Sequence, residues 1–348
     1  MDLEIAALQQ QGFPRGLAQA LATNNEKLPL RIWVVDNSDS MRLLDGRTIS
    51  ETSNINDFEF VTCSRWTEIR QSVEYHAHMA HLLRAPTIFR LLNDPKKVNC
   101  PQIFSIGVDD IRDTEDDYFA ALRAIKSIAP SGTTPLSQHI REIREQIISL
   151  APTYRRNGTQ AVIVLATDGL PSDAGGNCTR STMQEFVDAI RSLEGLPVCV
   201  VIRLCTDEDD VVKFYNDIDQ HLHLSIEVLD DFSQEAKEVY AHNPWLNYAF
   251  PLHRCREMGY HNPLFDILDE RRLDLDEIRD FLINLFGAEQ FKRLPNPRVN
   301  WKGFLKRLSI IVNQEKEQWN PVTKRLGPWV DIEILEKEFK KAGQCAQS

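Results

Sequence analysis

The sequence predicts an α/β protein: a doubly wound, mostly parallel six-stranded sheet with one antiparallel edge strand, followed by a helical C-terminal region. Three observations lead there. Near-continuous apolar runs at 31–35, 161–166 and 198–204 read as strands buried on both faces. Amphipathic stretches, with apolar residues three and four apart, separate those runs. Beyond residue 231, helical periodicity persists but prolines and tryptophans become dense.

Taken in order, residues 1–30 read as a helical lead-in (Leu3, Ile5, Leu8, Leu17, Leu21) interrupted by Gly12-Phe13-Pro14. The first strand is 31–35, rich in β-branched residues. Residues 42–62 form an insertion with turn signals at Asp45-Gly46 and 54–57, in which 58–61 alternates like a small strand. Ser64 is a plausible N-cap for a helix to Arg84, with Trp66, Ile69, Val73, Ala77, Ala80 and Leu83 on its apolar face.

Strands 87–92 and 102–108 are joined by a linker too short for a crossover helix, so they pair antiparallel. Acidic residues at 113–117 suit the start of a helix running to about Ile128. Pro130-Ser131-Gly132 breaks it, and 135–150 is the next helix. A wholly apolar strand at 161–166 ends in Thr167-Asp168-Gly169. Helix 181–193, strand 198–204, helix 209–221 and strand 225–229 complete the pattern. The chain thus divides into a lead-in (1–30), an α/β domain (31–231) and a Trp/Pro-rich helical region (232–348), with helical periodicity at 263–286 and 301–318.

Bulk properties narrow the function classes. A net charge of −11, with no extended Lys/Arg cluster, argues against nucleic acid as the main partner. No stretch reaches the roughly 18 apolar residues of a membrane span, and no signal-peptide pattern opens the chain. Seven cysteines, odd in number, widely spaced and without C-x-x-C, suggest reduced thiols in an intracellular, cytoplasmic protein.

The segment Asp36-Asn37-Ser38-Asp39-Ser40, at the exit of the first strand, reads D-x-S-x-S. One carboxylate and two hydroxyls at every second residue converge on a point if the chain turns there. Hard oxygen donors of low total charge suit Mg²⁺ better than Zn²⁺ or Ca²⁺. In an open α/β sheet, ligands bind beyond the carboxyl ends of the strands, where strand order reverses. Two further oxygen-rich segments occupy suitable places: Gly132-Thr133-Thr134, before the 135–150 helix, and Asp168, after the most apolar strand.

The set D-x-S-x-S, G-x-T and T-D-G, in this order and after a βαββ start, resembles a von Willebrand factor A domain with its metal-ion-dependent adhesion site. The resemblance spans 31–231 and implies a Rossmann-like fold in which the first and fourth strands are neighbours, bringing Asp36 and Asp168 together. It implies a Mg²⁺ (or Mn²⁺) site made by Asp36, Ser38, Ser40, Thr134 and Asp168, with Thr133 as the alternative threonine and Asp39 a spacer. It also implies coordination rather than turnover, with an Asp or Glu of a protein partner completing the metal's shell. The 42–62 insertion and the C-terminal third depart from the simplest pattern of the family.

Competing readings are weaker. An EF-hand loop starting at Asp36 fails, because Met41 stands at its glycine position and Arg47 at its bidentate glutamate position. A Mg²⁺-dependent phosphohydrolase with Asp36 as nucleophile wants a second Asp two residues on, where Ser38 stands. G-x-S-x-G, H-E-x-x-H, the P-loop and G-x-G-x-x-G are all missing. A scaffold subunit with an unfilled site is the third reading. His76, His78 and His81 do not share one helix face, so they suggest a surface cluster rather than a metal site. The acidic runs 109–110, 115–117 and 207–210 suggest solvated helix starts, and the C-terminal tryptophans suggest core.

Overall fold

The computed structural model describes residues 1–51, 58–96, 100–109 and 114–345. Two helices lead in, α1 (Asp2–Gln10) and α2 (Arg15–Lys27), and β1 (Leu30–Val35) follows. A 3₁₀ turn (Asp39–Arg42) precedes a hairpin of β2 (Gly46–Glu51) and β3 (Phe58–Cys63), then α3 (Arg65–Leu82), β4 (Thr87–Leu91) and β5 (Ile103–Ile106). Next come α4 (Thr114–Ser127), α5 (Leu136–Asn157), β6 (Ala161–Thr167), α6 (Arg180–Arg191), β7 (Val198–Leu204), α7 (Asp209–His221) and β8 (Ile226–Leu229).

The central sheet has six strands in the order β5-β4-β1-β6-β7-β8. All pairs are parallel except the edge pair β4–β5, as the short 92–102 connection requires. The chain builds outward from β1 through β4 to β5, then returns to the other side of β1 to lay down β6, β7 and β8. Order therefore reverses between β1 and β6.

Alternation along β1 feeds two cores. Ile32 and Val34 join Ile163, Leu165, Val200 and Ile202 against α5, α6 and α7. Trp33 and Val35 join Val162, Val164, Ala166 and Val201 against α3 and α4. Both faces are covered, so the strands carry continuous apolar sequence.

Several boundaries differ from the sequence reading for physical reasons. Helix α5 continues past residue 150 to Asn157, because Pro152 lies on its exposed side while Ala151 and Tyr154 are buried. The proline leaves a carbonyl unpaired only where water reaches it. Strand β2 pairs with β3 across the 42–62 insertion, where only the second strand shows the expected alternation. The turn signals at 54–57 lie outside the described residues.

The C-terminal region contains α8 (Phe232–His242), α9 (Phe250–Glu257), α10 (Pro263–Asp266), α11 (Leu275–Phe286), α12 (Ala288–Phe291) and α13 (Trp301–Val312). A small hairpin, β9 (Gln318–Asn320) and β10 (Arg325–Gly327), and α14 (Ile332–Cys345) complete it. The periodicity at 263–286 is split because Asp274 caps α11, accepting from the Asp276 and Glu277 N–H groups while the Glu277 carboxylate accepts from the Asp274 N–H. The stretch 301–318 is helical only to Val312.

Residues 1–30 and the C-terminal region share one core: Leu8, Leu17 and Leu21 pack with Phe281, Leu282, Leu285 and Phe286. The two segments meet at Gly16, where a Cβ would stand 2.1 Å from the Gly287 backbone nitrogen. Trp245, Trp319 and Trp329 are buried in this layer, as expected of core tryptophans.

An ionic cluster fastens this layer to the sheet. Glu257, at the end of α9, is fully buried. It accepts from His76 Nε2 at 2.7 Å, Arg254 at 2.6 Å and Arg203 Nε at 3.3 Å. Arg203 of β7 also meets Glu68, and Arg254 meets Ser72, both on α3. His76 is thus core, not surface: its ring lies 4.5 Å from that of Trp33. His78 and His81 are the neighbours, both against Tyr118. Asp117 is likewise buried rather than solvated, accepting from the Gly107 N–H. No described helix is long and apolar enough to cross a membrane.

Candidate metal centre

The tips of β1 and β6 are zipped together where strand order reverses, the Asp36 N–H donating to the Ala166 carbonyl at 2.8 Å. Asp36 and Asp168, one residue beyond each strand, are both buried at the carboxyl edge. Each Asp36 oxygen is engaged: Oδ1 accepts the Ser38 N–H at 2.8 Å, and Oδ2 accepts the Thr167 hydroxyl at 2.6 Å. The first bond turns the chain after β1 in the manner of an Asx-turn, which brings the two serines forward.

A short chain of hydroxyls then links the strand ends. Ser38 Oγ and Ser40 Oγ are 2.9 Å apart, and the Ser40 hydroxyl donates to Asp168 Oδ1 at 2.9 Å. Asp39 points away, its side chain 70% exposed beside Arg42. Four of the five residues expected to form the site are therefore bonded into one cluster: Asp36 through the Ser38 N–H, and Ser38, Ser40 and Asp168 through their side chains.

The Gly132 loop is docked onto the first by backbone bonds. The Asp39 N–H donates to the Gly132 carbonyl, and the Ser131 N–H donates to the Asn37 carbonyl at 2.7 Å. Asn93 fastens both loops, exchanging bonds with Asn37 and donating to the Thr133 carbonyl. Gly132 has φ +100°, and a Cβ there would stand 2.4 Å from Asn93 Oδ1, so the loop requires glycine.

Thr134 is buried beside the cluster, its N–H donating to Ser172 Oγ and its carbonyl accepting the Ser172 N–H. Among the described residues, no hydrogen bond joins its side chain to the other four. Thr133 is half-buried, its methyl facing Gly176.

The electrostatics are those of crowded carboxylates. Burial pushes the Asp36 carboxyl up to about 6, with the neighbouring Asp168 charge adding to it and the Ser38 and Thr167 bonds opposing. Burial also raises Asp168, against the Ser40 hydroxyl and the Arg65 guanidinium.

Arg65, which the sequence reading did not single out, donates to Asp168 Oδ2 at 3.1 Å, to Asp45 at 2.6 Å and to Glu208 at 2.8 Å. Burial disfavours its charge, but the three carboxylates outweigh that and hold it protonated. The hydrogen bond from the Arg65 guanidinium in turn holds the Asp45 carboxyl below its usual range. Only the position of Arg65 directly after the Ser64 cap hinted at a fixed location. Asn93 and Ser172 carried no sequence signal, and Thr167 was visible only as the T of T-D-G.

Two buried carboxylates and several hydroxyls thus lie together at the strand ends, oxygen donors of the type that hard cations take. Both carboxyl groups are raised chiefly by burial, and Arg65 opposes that rise at Asp168. Among the described residues, no group of three or more His, Cys, Asp and Glu side chains is placed to hold a metal.

No family model matches the chain, and no curated protein matches it. Among solved structures it is similar to the PilB minor pilin from Streptococcus sanguinis, at 15% identity over 59% of this chain and 57% of that one, with a TM-score of 0.35. It is similar to a point mutant of the same pilin at 12% identity over 58% and 57%, also with a TM-score of 0.35. The chain thus spans little more than half of these proteins, and so slight a likeness transfers neither fold nor function.

Proposed function

We propose that the chain is an intracellular, divalent-cation-dependent protein-binding module of the von Willebrand factor A kind. Asp36, Ser38, Ser40, Thr134 and Asp168 would hold Mg²⁺ or Mn²⁺. The observation that carries this reading is the run Ser38 Oγ–Ser40 Oγ–Asp168 Oδ1 beside the buried Asp36, at the point of strand reversal. When bound, the cation supplies an electrophilic position that an Asp or Glu of a protein partner fills.

The protein's own residues set the terms. Thr167 and the Ser38 N–H orient Asp36, Arg65 orients Asp168, and Asn93 and Ser172 anchor the threonine loop. The nucleophile reading wants a second Asp two residues after Asp36, where Ser38 stands, and this favours a ligand role.

The test is capture of protein partners from lysate on immobilised wild type and Asp36→Ala, in Mg²⁺ and in EDTA. Capture that requires both the metal and Asp36 is expected. A partner set unchanged by EDTA and by the substitution contradicts the proposal.

A further inference from the structure

Two large apolar side chains stand in solvent directly beside the candidate donor set: Leu43, 50% exposed, and Leu44, 74% exposed. Backbone bonds tie Leu43 to it. The Leu43 N–H donates to the Ser40 carbonyl at 2.9 Å, and the Leu43 carbonyl accepts the Arg65 N–H at 3.0 Å. Arg65 in turn holds Asp168. Isolated exposed leucines are ordinary on protein surfaces, but here two stand adjacent, next to a polar cluster to which Leu43 is bonded.

The charge around that pair is one-sided. Asp39 and Asp45 flank it, with side chains 70% and 51% exposed. The exposed run 207–210, all acidic, follows β7, and its Glu208 reaches Arg65. Against these carboxylates stand the exposed Arg42 and Arg47 and the buried Arg65. A divalent cation offsets Asp36 and Asp168 and leaves the rim negative. A carboxylate arriving on an acidic segment would be drawn by the cation and repelled by everything around it.

Resting on the metal-site reading, we infer that the partner segment is an Asp or Glu anchor flanked by Lys or Arg, with a neighbouring apolar side chain that covers Leu43 and Leu44. The cation supplies affinity for the anchor, and the acidic rim and the leucine pair select which anchor enters. Positive flanks meet Asp39, Asp45 and 207–210, and the apolar neighbour removes Leu44 from water.

The test uses the full chain and three fluorescent peptides, read by anisotropy in Mg²⁺ and in EDTA. One peptide has a central Glu with Lys, Arg and Leu neighbours, the second has acidic neighbours, and the third replaces the central Glu of the first with Gln. Mg²⁺ affinity is measured separately by calorimetry. The basic-apolar peptide should bind at least about tenfold tighter than the acidic one, and its Gln form should lose Mg²⁺ dependence.

Leu44→Ser should weaken the basic-apolar peptide by about tenfold with Mg²⁺ affinity unchanged. Asp207→Asn with Asp209→Asn should weaken it several-fold at low salt, an effect that fades towards about 0.5 M salt. Mg²⁺ binding with equal affinity for the first two peptides, or self-association through Leu44 without peptide selectivity, overturns this inference and leaves the metal site standing. No Mg²⁺ binding by wild type overturns both.

Discussion

At the scale of single residues, the buried carboxylates make opposite demands on stability and on function. A carboxyl raised from 3.8 to about 6 binds its proton more tightly when folded. Without metal, Asp36 therefore contributes most stability below about pH 4 and loses it as pH rises through about 6. The loss is about 3 kcal/mol at most. Asp36→Asn should accordingly raise the melting temperature of the metal-free protein at pH 7 and abolish any Mg²⁺-induced increase, both readable by differential scanning calorimetry. A lower melting temperature without metal would show that Asp36 is retained for structure. Arg65→Ala is expected to cost about 3–5 kcal/mol in urea unfolding, because it leaves Asp168 buried and unpaired. Arg65→Lys should recover only part, since a single ammonium cannot reproduce the three-way contact. The motif residues were legible in the sequence because D-x-S-x-S and T-D-G announce themselves at strand ends. Arg65, Asn93 and Ser172 were not, since an ordinary Arg, Asn or Ser gains its role only from what folds against it.

At the scale of elements, the site depends on two loops meeting over the ends of β1 and β6. Gly132 is the weak point of that meeting. Gly132→Ala forces a Cβ onto Asn93 at positive φ and should cost about 1–3 kcal/mol, while weakening Mg²⁺ binding and leaving far-UV circular dichroism unchanged. Wild-type Mg²⁺ affinity in that variant would separate the loop from the site. The six sheet strands were readable because apolar runs bounded by turn residues leave few alternatives, and the antiparallel edge followed from linker length alone. Strand β2 escaped notice because Gly46, Arg47, Ser50 and Glu51 carry no alternation, and its place is fixed by pairing with β3. The β9–β10 hairpin, at the end of the 301–318 stretch, was missed because each strand has only three residues. Strand order itself needed long-range pairing that local patterns do not encode.

At the scale of the whole molecule, the N-terminal helices and the C-terminal third form one layer pinned to the sheet through Glu257. Burial pushes that carboxyl up, but Arg254 and His76 outweigh it and hold it well below its usual range. Burial lowers His76 to about 4 and His253 to about 3, against the pull of Glu257. Both imidazoles therefore add stability above about pH 6.5 that is lost as pH falls through about 4, with the Glu257 contribution lost at lower pH still. The raised Asp36 carboxyl gains stability over the same window, so the imidazole contribution is read by difference: between pH 6.5 and 4 wild type should lose more stability in urea unfolding than His253→Gln, and Glu257→Gln should cost about 3–5 kcal/mol at pH 7. Identical pH profiles for wild type and His253→Gln would contradict the neutral, buried imidazole. Nothing in the sequence paired Glu257 with His76, residues 181 apart in the chain. The central claim, however, is that the reversal point of the sheet holds a cation. Calorimetric titration of Mg²⁺ and Mn²⁺ into wild type, Asp36→Ala and Asp168→Ala tests it most directly. Binding by the folded wild type and none by the two folded variants is the predicted result. Absence of binding by wild type, or unchanged affinity in both variants, would contradict it.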